Sequence, residues 1–319
     1  MHRRAAAHLG LPVLLLVQLP FAMAPSPAAA QDAGTQASAD AGADPASASG
    51  ADLSAAVPQW DLSASAGISV RDDGPDGSWQ SLSLSRRIGR GYARATLMRY
   101  HGTLLQADVA LPSDYVVGTL GAGGNFDNWV VDGWVTYGRQ SYGRISTAAT
   151  GGSGGASRSS TGAKGSDYYA IGGDFGRILP LGDAFYLTPT MAGSFAEGRL
   201  LRPAPTGSGL IDLETDEPTW TASAAVRIDH AFGPAGTHDA GLSLSRNWTS
   251  NGVSALRLRP GVGGPSLDSR HYADGWSELG ANASMALGAR LHLDLFATRS
   301  IGMEAGNVSA AGAALRASF

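Results

Sequence analysis

The feature that most constrains the fold is a repeated two-residue alternation of apolar and polar side chains. In residues 60–70, WDLSASAGISV, every even position is apolar, whereas every odd position is Asp, Ser or Gly. The same alternation recurs in the segments that include residues 185–191, 220–232, 279–287 and 291–297. Because successive side chains of a β-strand point to opposite faces, this pattern predicts strands with one apolar and one polar face.

The alternating segments are longer than the strands of most globular proteins, which run about 5–6 residues. A strand of about ten residues crosses a lipid bilayer when it is tilted. Our assignment gives twelve strands, at residues 58–71, 78–88, 91–101, 114–126, 128–143, 166–178, 183–197, 218–232, 238–250, 271–287, 290–300 and 306–319.

The connections between these strands alternate in length. Tight turns rich in Gly, Pro or Asp fall near residues 89–90, 127, 179–182, 233–237 and 288–289. Longer connections fall at residues 72–77, 102–113, 144–165, 198–217, 251–270 and 301–305. Short turns at one end and long loops at the other are typical of barrels in bacterial outer membranes, with turns in the periplasm and loops outside. We therefore predict an all-β fold, a transmembrane antiparallel up-and-down β-barrel of about 12 strands.

Composition limits the competing classes. The mean hydropathy is −0.05, which fits a soluble β-sandwich, but also a barrel in which only alternate residues face lipid. The strand lengths and the connections favour the barrel. A net charge of −4 gives no basic field for nucleic acid, and the lack of Cys excludes disulfides and thiol chemistry.

The N-terminal residues predict export. Arg3 and Arg4 precede a short apolar stretch, and Ala28 and Ala30 form an A-x-A cleavage pattern before Gln31. Residues 1–30 are therefore predicted to be a signal peptide; a membrane anchor is the alternative. Residues 31–57 are predicted to be an Ala/Ser/Asp-rich tether that can enter the lumen, and residues 58–319 the barrel.

Aromatic residues near the strand ends predict girdles at the membrane interfaces. The residues assigned to them are Trp60, Trp79, Trp129, Phe185, Trp220 and Phe232.

The C-terminal residues resemble a known family. DGWSELGANASMALGARLHLDLFATRSIG, followed by a strand that ends in GAALRASF, is similar to the closing strands of bacterial autotransporter β-domains. GGDFGRILPLGDAFYLTPTMAGSF is similar to a hairpin in the middle of those barrels. The resemblance implies a twelve-stranded translocator barrel whose terminal aromatic residue is recognised by the barrel-assembly machinery. It assigns that signal to Ala311, Ala313, Leu315, Ala317 and Phe319. Autotransporters carry a large passenger, whereas only residues 31–57 stand in its place here.

Charged side chains on the polar face are expected to line the lumen, because a charge that faces lipid costs about 2–4 kcal/mol at the midplane. These candidates are Asp61, Arg227, Asp229, Glu278, His292, Asp294 and Arg316. They are interpreted as neutralising the lumen or as selecting ions in an open pore.

No motif in the chain predicts catalysis. TGAKGS lacks the order of a phosphate-binding loop, and the His residues have no metal-ligand spacing. We expect no catalytic residues, no metal and no cofactor. A hydrolase that uses His230, Asp239 and Ser243 is a distant alternative.

The expected function is a membrane-embedded pore or plugged barrel. The alternatives are a porin-like general diffusion channel and an adhesin or receptor that uses loops 144–165 and 198–217. The expected location is the outer membrane of a Gram-negative bacterium, with the loops facing outside. The expected partners are outer-membrane lipid, the barrel-assembly machinery and the export pathway. We expect no nucleic acid, and a monomer.

Overall fold

The computed structural model describes residues 59–72, 76–106, 109–147, 157–160, 165–203, 212–233, 236–259 and 266–319. Twelve long strands form the wall: β1 (Trp60–Arg71), β2 (Gly77–Ile88), β3 (Gly91–Gln106), β4 (Val109–Phe126), β5 (Trp129–Tyr142), β8 (Gly165–Arg177), β10 (Phe185–Arg202), β12 (Thr219–Phe232), β13 (His238–Arg259), β14 (Ser266–Gly288), β15 (Leu291–Ile301) and β16 (Val308–Ser318). Four short strands accompany them: β6 (Ile145–Thr147), β7 (Ser157–Arg158), β9 (Leu179–Pro180) and β11 (Leu213–Asp216).

The twelve long strands close into a ring. Each pairs antiparallel with the previous and the next long strand, and β1 pairs with β16. The closure extends to the strand ends, where the Trp60 N–H donates to the Phe319 carbonyl at 3.0 Å and the Phe319 N–H donates to the Trp60 carbonyl at 2.9 Å. The predicted all-β, antiparallel, twelve-stranded barrel is thus confirmed. None of the described segments is a helix with the length and apolarity needed to span a membrane.

The two faces of the wall differ as the alternation predicts. On the outer face, large apolar side chains such as Leu82, Leu97 and Leu120 are more than half exposed, at 52%, 57% and 63%. On the inner face, hydroxyl side chains bond across neighbouring strands: Ser83 Oγ lies 2.9 Å from Thr96 Oγ1, and Thr119 Oγ1 lies 2.9 Å from Thr136 Oγ1. The barrel interior is therefore lined by small polar groups around its middle.

We call the meeting of β15, β16, β1 and β2 the seam. One row across it reads Phe296, Gly312, Gly67 and Trp79 from strand to strand. The two aromatic rings cover the two glycines from the inside and stack with centroids 5.6 Å apart. A Cβ at Gly67 would lie 2.6 Å from Trp79 Cζ2 and 2.6 Å from the Ala311 carbonyl oxygen, so glycine is required there.

The seam corrects one prediction. Proximity to a strand end predicts Trp79 in an interfacial girdle, but Trp79 faces the lumen and is 8% exposed. The reason is its position in β2, where Leu82, Leu84 and Ile88 point outward and the odd-numbered residues point inward. Its proximity to the strand end suggested an interface, whereas the alternation already placed it on the opposite face.

The two ends of the barrel are built differently. At one end, called the short-turn end, β4 and β5 are joined by Asp127 and Asn128, whose φ values of 55° and 69° suit the tight hairpin turns that match strand twist. At the other, the long-loop end, β13 and β14 reach 22 and 23 residues and take up parts of the predicted loop 251–270. The predicted loops 102–113 and 198–217 are also partly strand. The predicted signal peptide and tether lie outside the described residues.

Candidate functional site

Three ion pairs form a charge belt on the inner face near the short-turn end. Arg94 Nη2 lies 3.2 Å from Asp132, Arg227 Nε lies 2.7 Å from Asp229, and Arg316 Nε lies 3.3 Å from Asp294. Each of these six side chains is at most 11% exposed. Pairing offsets the desolvation of these charges, and removing one partner of such a pair costs about 3–5 kcal/mol.

The belt is fixed by further hydrogen bonds from the wall. Tyr92 OH donates to Asp132, and Ser284 Oγ donates to Asp294 at 2.6 Å. Asp132 and Asp174 are partners in the register of β5 and β8, so two carboxylates face each other beside Arg94. The inner wall at this end is therefore a network of fixed charges.

The structure places all seven candidate lumen charges on the inner face of the wall. Arg227 with Asp229, and Asp294 with Arg316, are brought together as pairs. Asp61 accepts a hydrogen bond from Ser318 across the seam, whereas Glu278 and His292 are partly buried without joining these pairs. Their role in neutralisation or ion selection stays a prediction.

Sequence reasoning missed Tyr92, Arg94, Asp132 and Asp174. The alternation does predict that Arg94 faces the lumen, because it stands between the outward-facing Ala93 and Ala95. What the alternation does not give is the partner, because the pairing of Arg94 with Asp132 depends on the register of three strands.

A second polar cluster lies at the long-loop end. We call residues 198–202 and 212–217 the arch. The wall pairing of β10 with β8 ends at Gly198, and its pairing with β12 ends at Ala196; beyond Gly198 the described ladder of β10 is with β11 alone. Leu200, Leu201 and Arg202 are all buried, so the alternation of an exposed and a covered face ends there.

Glu217 is the centre of the polar contacts of the arch. Its Oε1 accepts hydrogen bonds from Arg202 Nη2 at 2.9 Å, Thr215 Oγ1 at 2.7 Å and Ser254 Oγ at 3.2 Å. Its Oε2 accepts from Asn251 Nδ2 at 3.1 Å and lies 3.1 Å from His271 Nε2. An ionised carboxylate offers about four acceptor sites, so this one is fully used.

The apolar contacts of the arch lie on the other side of β10 in the ring, toward β4 and away from β13 and β14. Leu200 and Leu201 pack with Leu111 of β4 and Ile145 of β6, and all four are at most 3% exposed. Beside them, Arg158 of β7 donates to both carboxylate oxygens of Asp212, at 2.6 and 2.8 Å. This bidentate contact raises the pKa of Arg158 further.

The outer face carries most of the predicted interfacial aromatics. Trp129, Phe185, Trp220 and Phe232 are each 42–65% exposed there. Trp60 also lies on this face, with the Arg86 guanidinium 5.3 Å from its ring centroid. Their position at a membrane boundary stays a prediction, as does the assembly signal, whose members Ala311, Ala313, Leu315, Ala317 and Phe319 share the outer face.

The residues considered for hydrolysis are not brought together. His230 lies on the outer face, where its ring stacks on Phe185 with centroids 4.3 Å apart, whereas Asp239 and Ser243 lie on the inner face of β13. Within the described ranges, no group of three or more His, Asp or Glu side chains is placed to hold a metal ion.

Comparison with solved structures finds the same fold in outer-membrane proteins. The translocator domain of the autotransporter NalP from Neisseria meningitidis matches with a TM-score of 0.61 and 16% identity, over 92% of this chain and 96% of that one. The β-domain of the Bordetella autotransporter BrkA matches with a TM-score of 0.53 and 17% identity, over 82% and 100% of the two chains. An outer membrane channel from Pseudomonas putida F1 matches with a TM-score of 0.50 and 10% identity, over 86% and 100%.

At these identities the similarity extends to the fold. No family model matches the sequence. No curated protein matches it either. The fold is that of autotransporter translocator domains, as the closing strands suggested.

Proposed function

We propose that the chain is an integral β-barrel of a Gram-negative outer membrane, built like an autotransporter translocator domain, with its long loops outside. The observation that carries the proposal is the outer face, where large apolar side chains are exposed around a ring that has no open edge. Soluble monomers rarely expose an apolar patch larger than a few hundred Å². Lipid is the surrounding that suits such a belt, because a closed ring leaves no backbone group unpaired in hydrocarbon.

Two adjacent residues of β10 test the lipid-facing belt. Met191 is 56% exposed on the outer face, whereas Ala192 points inward and is the register partner of Asp174. Met191→Arg should destabilise the barrel by about 2–4 kcal/mol in refolding into lipid vesicles, because the charge lies near the midplane. Ala192→Arg is the matched control and should refold, since it faces a polar lumen and a carboxylate.

The wild-type chain should fractionate with outer membranes. Its folded form should also migrate differently from the boiled form on a gel. Equal destabilisation by the two arginines, or recovery of the chain as soluble periplasmic protein, would contradict the proposal.

Within this proposal, residues 31–57 are the segment that enters the lumen. Supporting this, the first wall strand starts at the short-turn end, so a segment before Trp60 is adjacent to that end of the lumen. The barrel-assembly machinery and the export pathway are the proposed partners, and the proposed role is not catalytic.

A diffusion channel is the second candidate. The hydroxyl-lined middle of the inner face favours it, because small polar side chains leave room for water. Single-molecule conductance in planar bilayers separates the two candidates. Steady large currents from the intact chain favour a channel, whereas currents that appear only after deletion of residues 31–57 favour a plugged barrel.

A further inference from the structure

The contacts of the arch extend around half of the ring, from β4 to β14. In the order of strands, β4 is the third wall neighbour of β10 on one side, through β8 and β5. On the other side, β14 is the third neighbour of β10, through β12 and β13. The arch touches Leu111 of β4 in one direction and His271 of β14 in the other, so it bridges wall strands that do not neighbour each other.

These contacts place the arch on the lumen side of the wall. Ser166 of β8 points inward and donates to Glu214 Oε1 at 2.9 Å, and Tyr142 of β5 points inward and donates to the Arg199 carbonyl at 3.4 Å. Leu200, on the inward parity of β10, is fully buried. The segment thus contacts inward-facing residues of β8 and β5 on one side and, on the other, the buried Asn251 on the inward parity of β13. A two-stranded segment that leaves the wall with such contacts lies across the opening of the lumen.

The backbone ladder of the arch is separate from the ladders of the ring, although β10 runs through both. Arg199–Arg202 pair with Leu213–Asp216 in a sheet of their own, so no wall ladder is broken when they move together. The contacts that hold the arch down are made by side chains. Besides the Arg158–Asp212 pair and the Ser166–Glu214 hydrogen bond, they form two groups. The apolar latch is Leu200 and Leu201 against Leu111 and Ile145. The polar latch is Glu217 with its five partners on the arch, β13 and β14.

We propose that the arch is a gate over the long-loop mouth of the barrel, held closed by Glu217. The proposal rests on the proposed membrane barrel and adds a moving part to it. In the closed state, Glu217 neutralises the buried Arg202, which also donates to Ser254 at 2.6 Å. Loss of Glu217 leaves a buried guanidinium without its carboxylate, and the arch relieves this by swinging into water.

A single cysteine reports the state of the gate, because the chain contains no cysteine of its own. Leu200→Cys places a thiol in the apolar latch, where it should react slowly with a water-soluble maleimide. Adding Glu217→Ala should raise the reaction rate at least about tenfold. The reason is that leaving a buried charge unpaired costs more free energy than a tenfold change in the ratio of open to closed arch requires. The matched control is Asp216→Ala, the adjacent residue of the arch, whose pair with Arg199 is exposed and which should leave the rate unchanged.

Conductance links this movement to the pore. In planar bilayers, Glu217→Ala should raise the time-averaged conductance of the chain without residues 31–57, which the proposed function places in the lumen, and Asp216→Ala in the same background should not. Joining Ser166→Cys on β8 to Glu214→Cys on the arch with a short bifunctional maleimide should hold the Glu217→Ala chain at low conductance.

Either of two outcomes would overturn the gate. One is a Leu200→Cys thiol that reacts as fast as an exposed one in the otherwise native chain. The other is a reactive thiol in Glu217→Ala with unchanged conductance in the chain without residues 31–57. Heat-modifiable migration of the same samples reports the barrel separately. An inserted barrel with unchanged reactivity overturns the gate alone, whereas a chain that never inserts overturns the proposed function as well.

Discussion

The seam and the arch both join residues that are distant in sequence, but they do so with different forces. The seam is a backbone ladder that runs from the pair of Asp61 with Ser318 to the pair of Arg71 with Val308. The arch is held by side chains: four apolar residues on one side and the partners of Glu217 on the other. In hydrocarbon each unpaired backbone group costs several kcal/mol, so the seam is obligatory for the proposed barrel, whereas the arch is not.

This difference separates changes that remove the barrel from changes that alter what the barrel does. Substitutions at the seam should lower the free energy of unfolding of the whole ring. Substitutions in the arch should change local protection and conductance while the ring stays intact. Four predictions test this contrast, from the largest expected effect to the smallest.

The largest effect is expected for Phe319→Ala in cells. Phe319 lies at the end of the seam on the outer face, 56% exposed. If the assembly machinery recognises it, the variant should accumulate in the periplasm and the assembled protein should fall severely. In refolding without that machinery, the cost should be only about 1–3 kcal/mol from lost burial in lipid.

Phe185→Ala provides the control, since Phe185 is a similarly exposed aromatic at the same end of the barrel. It should show the refolding cost without the loss of assembly. Equal behaviour of the two variants in cells would leave Phe319 as an ordinary interfacial residue.

Gly67→Val should weaken the seam by about 1–3 kcal/mol, the usual cost of overpacking. The added carbon meets both the Trp79 ring and the Ala311 carbonyl oxygen at 2.6 Å. Gly118→Val is the matched control, because the nearest atom to a Cβ there is the Tyr137 carbonyl oxygen at 3.8 Å. Urea unfolding in vesicles measures both, and equal midpoints would show that the glycine row is not a close contact.

Leu201→Ala should leave the free energy of unfolding of the ring within about 0.5 kcal/mol of the wild-type value. Leu201 is fully buried, and a buried Leu→Ala change in a cooperative core costs about 2–5 kcal/mol. Here the loss should appear instead as faster amide exchange in Leu200–Arg202 and Leu213–Asp216. A fall of about 2 kcal/mol or more in the free energy of unfolding of the whole ring, the low end of that range, would show that arch and ring unfold together.

The smallest effect concerns Asp72, in the turn after β1. The hydrogen bond from Arg299 lowers the pKa of Asp72 below its ordinary value. A carboxyl with a depressed pKa in the folded state stabilises the fold at neutral pH. That contribution is lost as the pH falls through the folded-state pKa, below about 3.9. The thermal midpoint of the wild type should therefore exceed that of Asp72→Asn slightly at pH 7, and the two should converge toward pH 2.

Alternation predicts the wall well, because the pleat is a local property that each strand carries in its own sequence. The twelve strands, their closure and the inward position of Asp61, Arg227 and Asp294 follow from it. For Trp79 the two signals conflict: proximity to a strand end predicts an interface, whereas its parity, opposite to that of Leu82 and Leu84, places it inside the barrel, and the structure follows the parity.

Alternation does not predict the arch. Residues 198–217 have no sustained alternation, and the structure of residues 198–202 and 212–217 depends on contacts with β4, β8, β13 and β14. Glu217 and Arg202 carry no motif in sequence. That the two residues are buried together is seen only in the folded long-loop end of the barrel.

The seam also sets the order of events in folding. Ser65 and Ser81, in adjacent strands of one hairpin, are 16 residues apart, whereas the contact of Asp61 with Ser318 closes a loop of 257 residues. The second separation is about four doublings of the first, and each doubling adds about 0.6 kcal/mol of closure entropy. Hairpins therefore form early, and the ring remains an open sheet with two sticky edges until the slowest contact is made. During that interval the open edges can pair with other copies of the chain. A barrel of this design therefore folds more safely when a chaperone covers its edges until the ring closes.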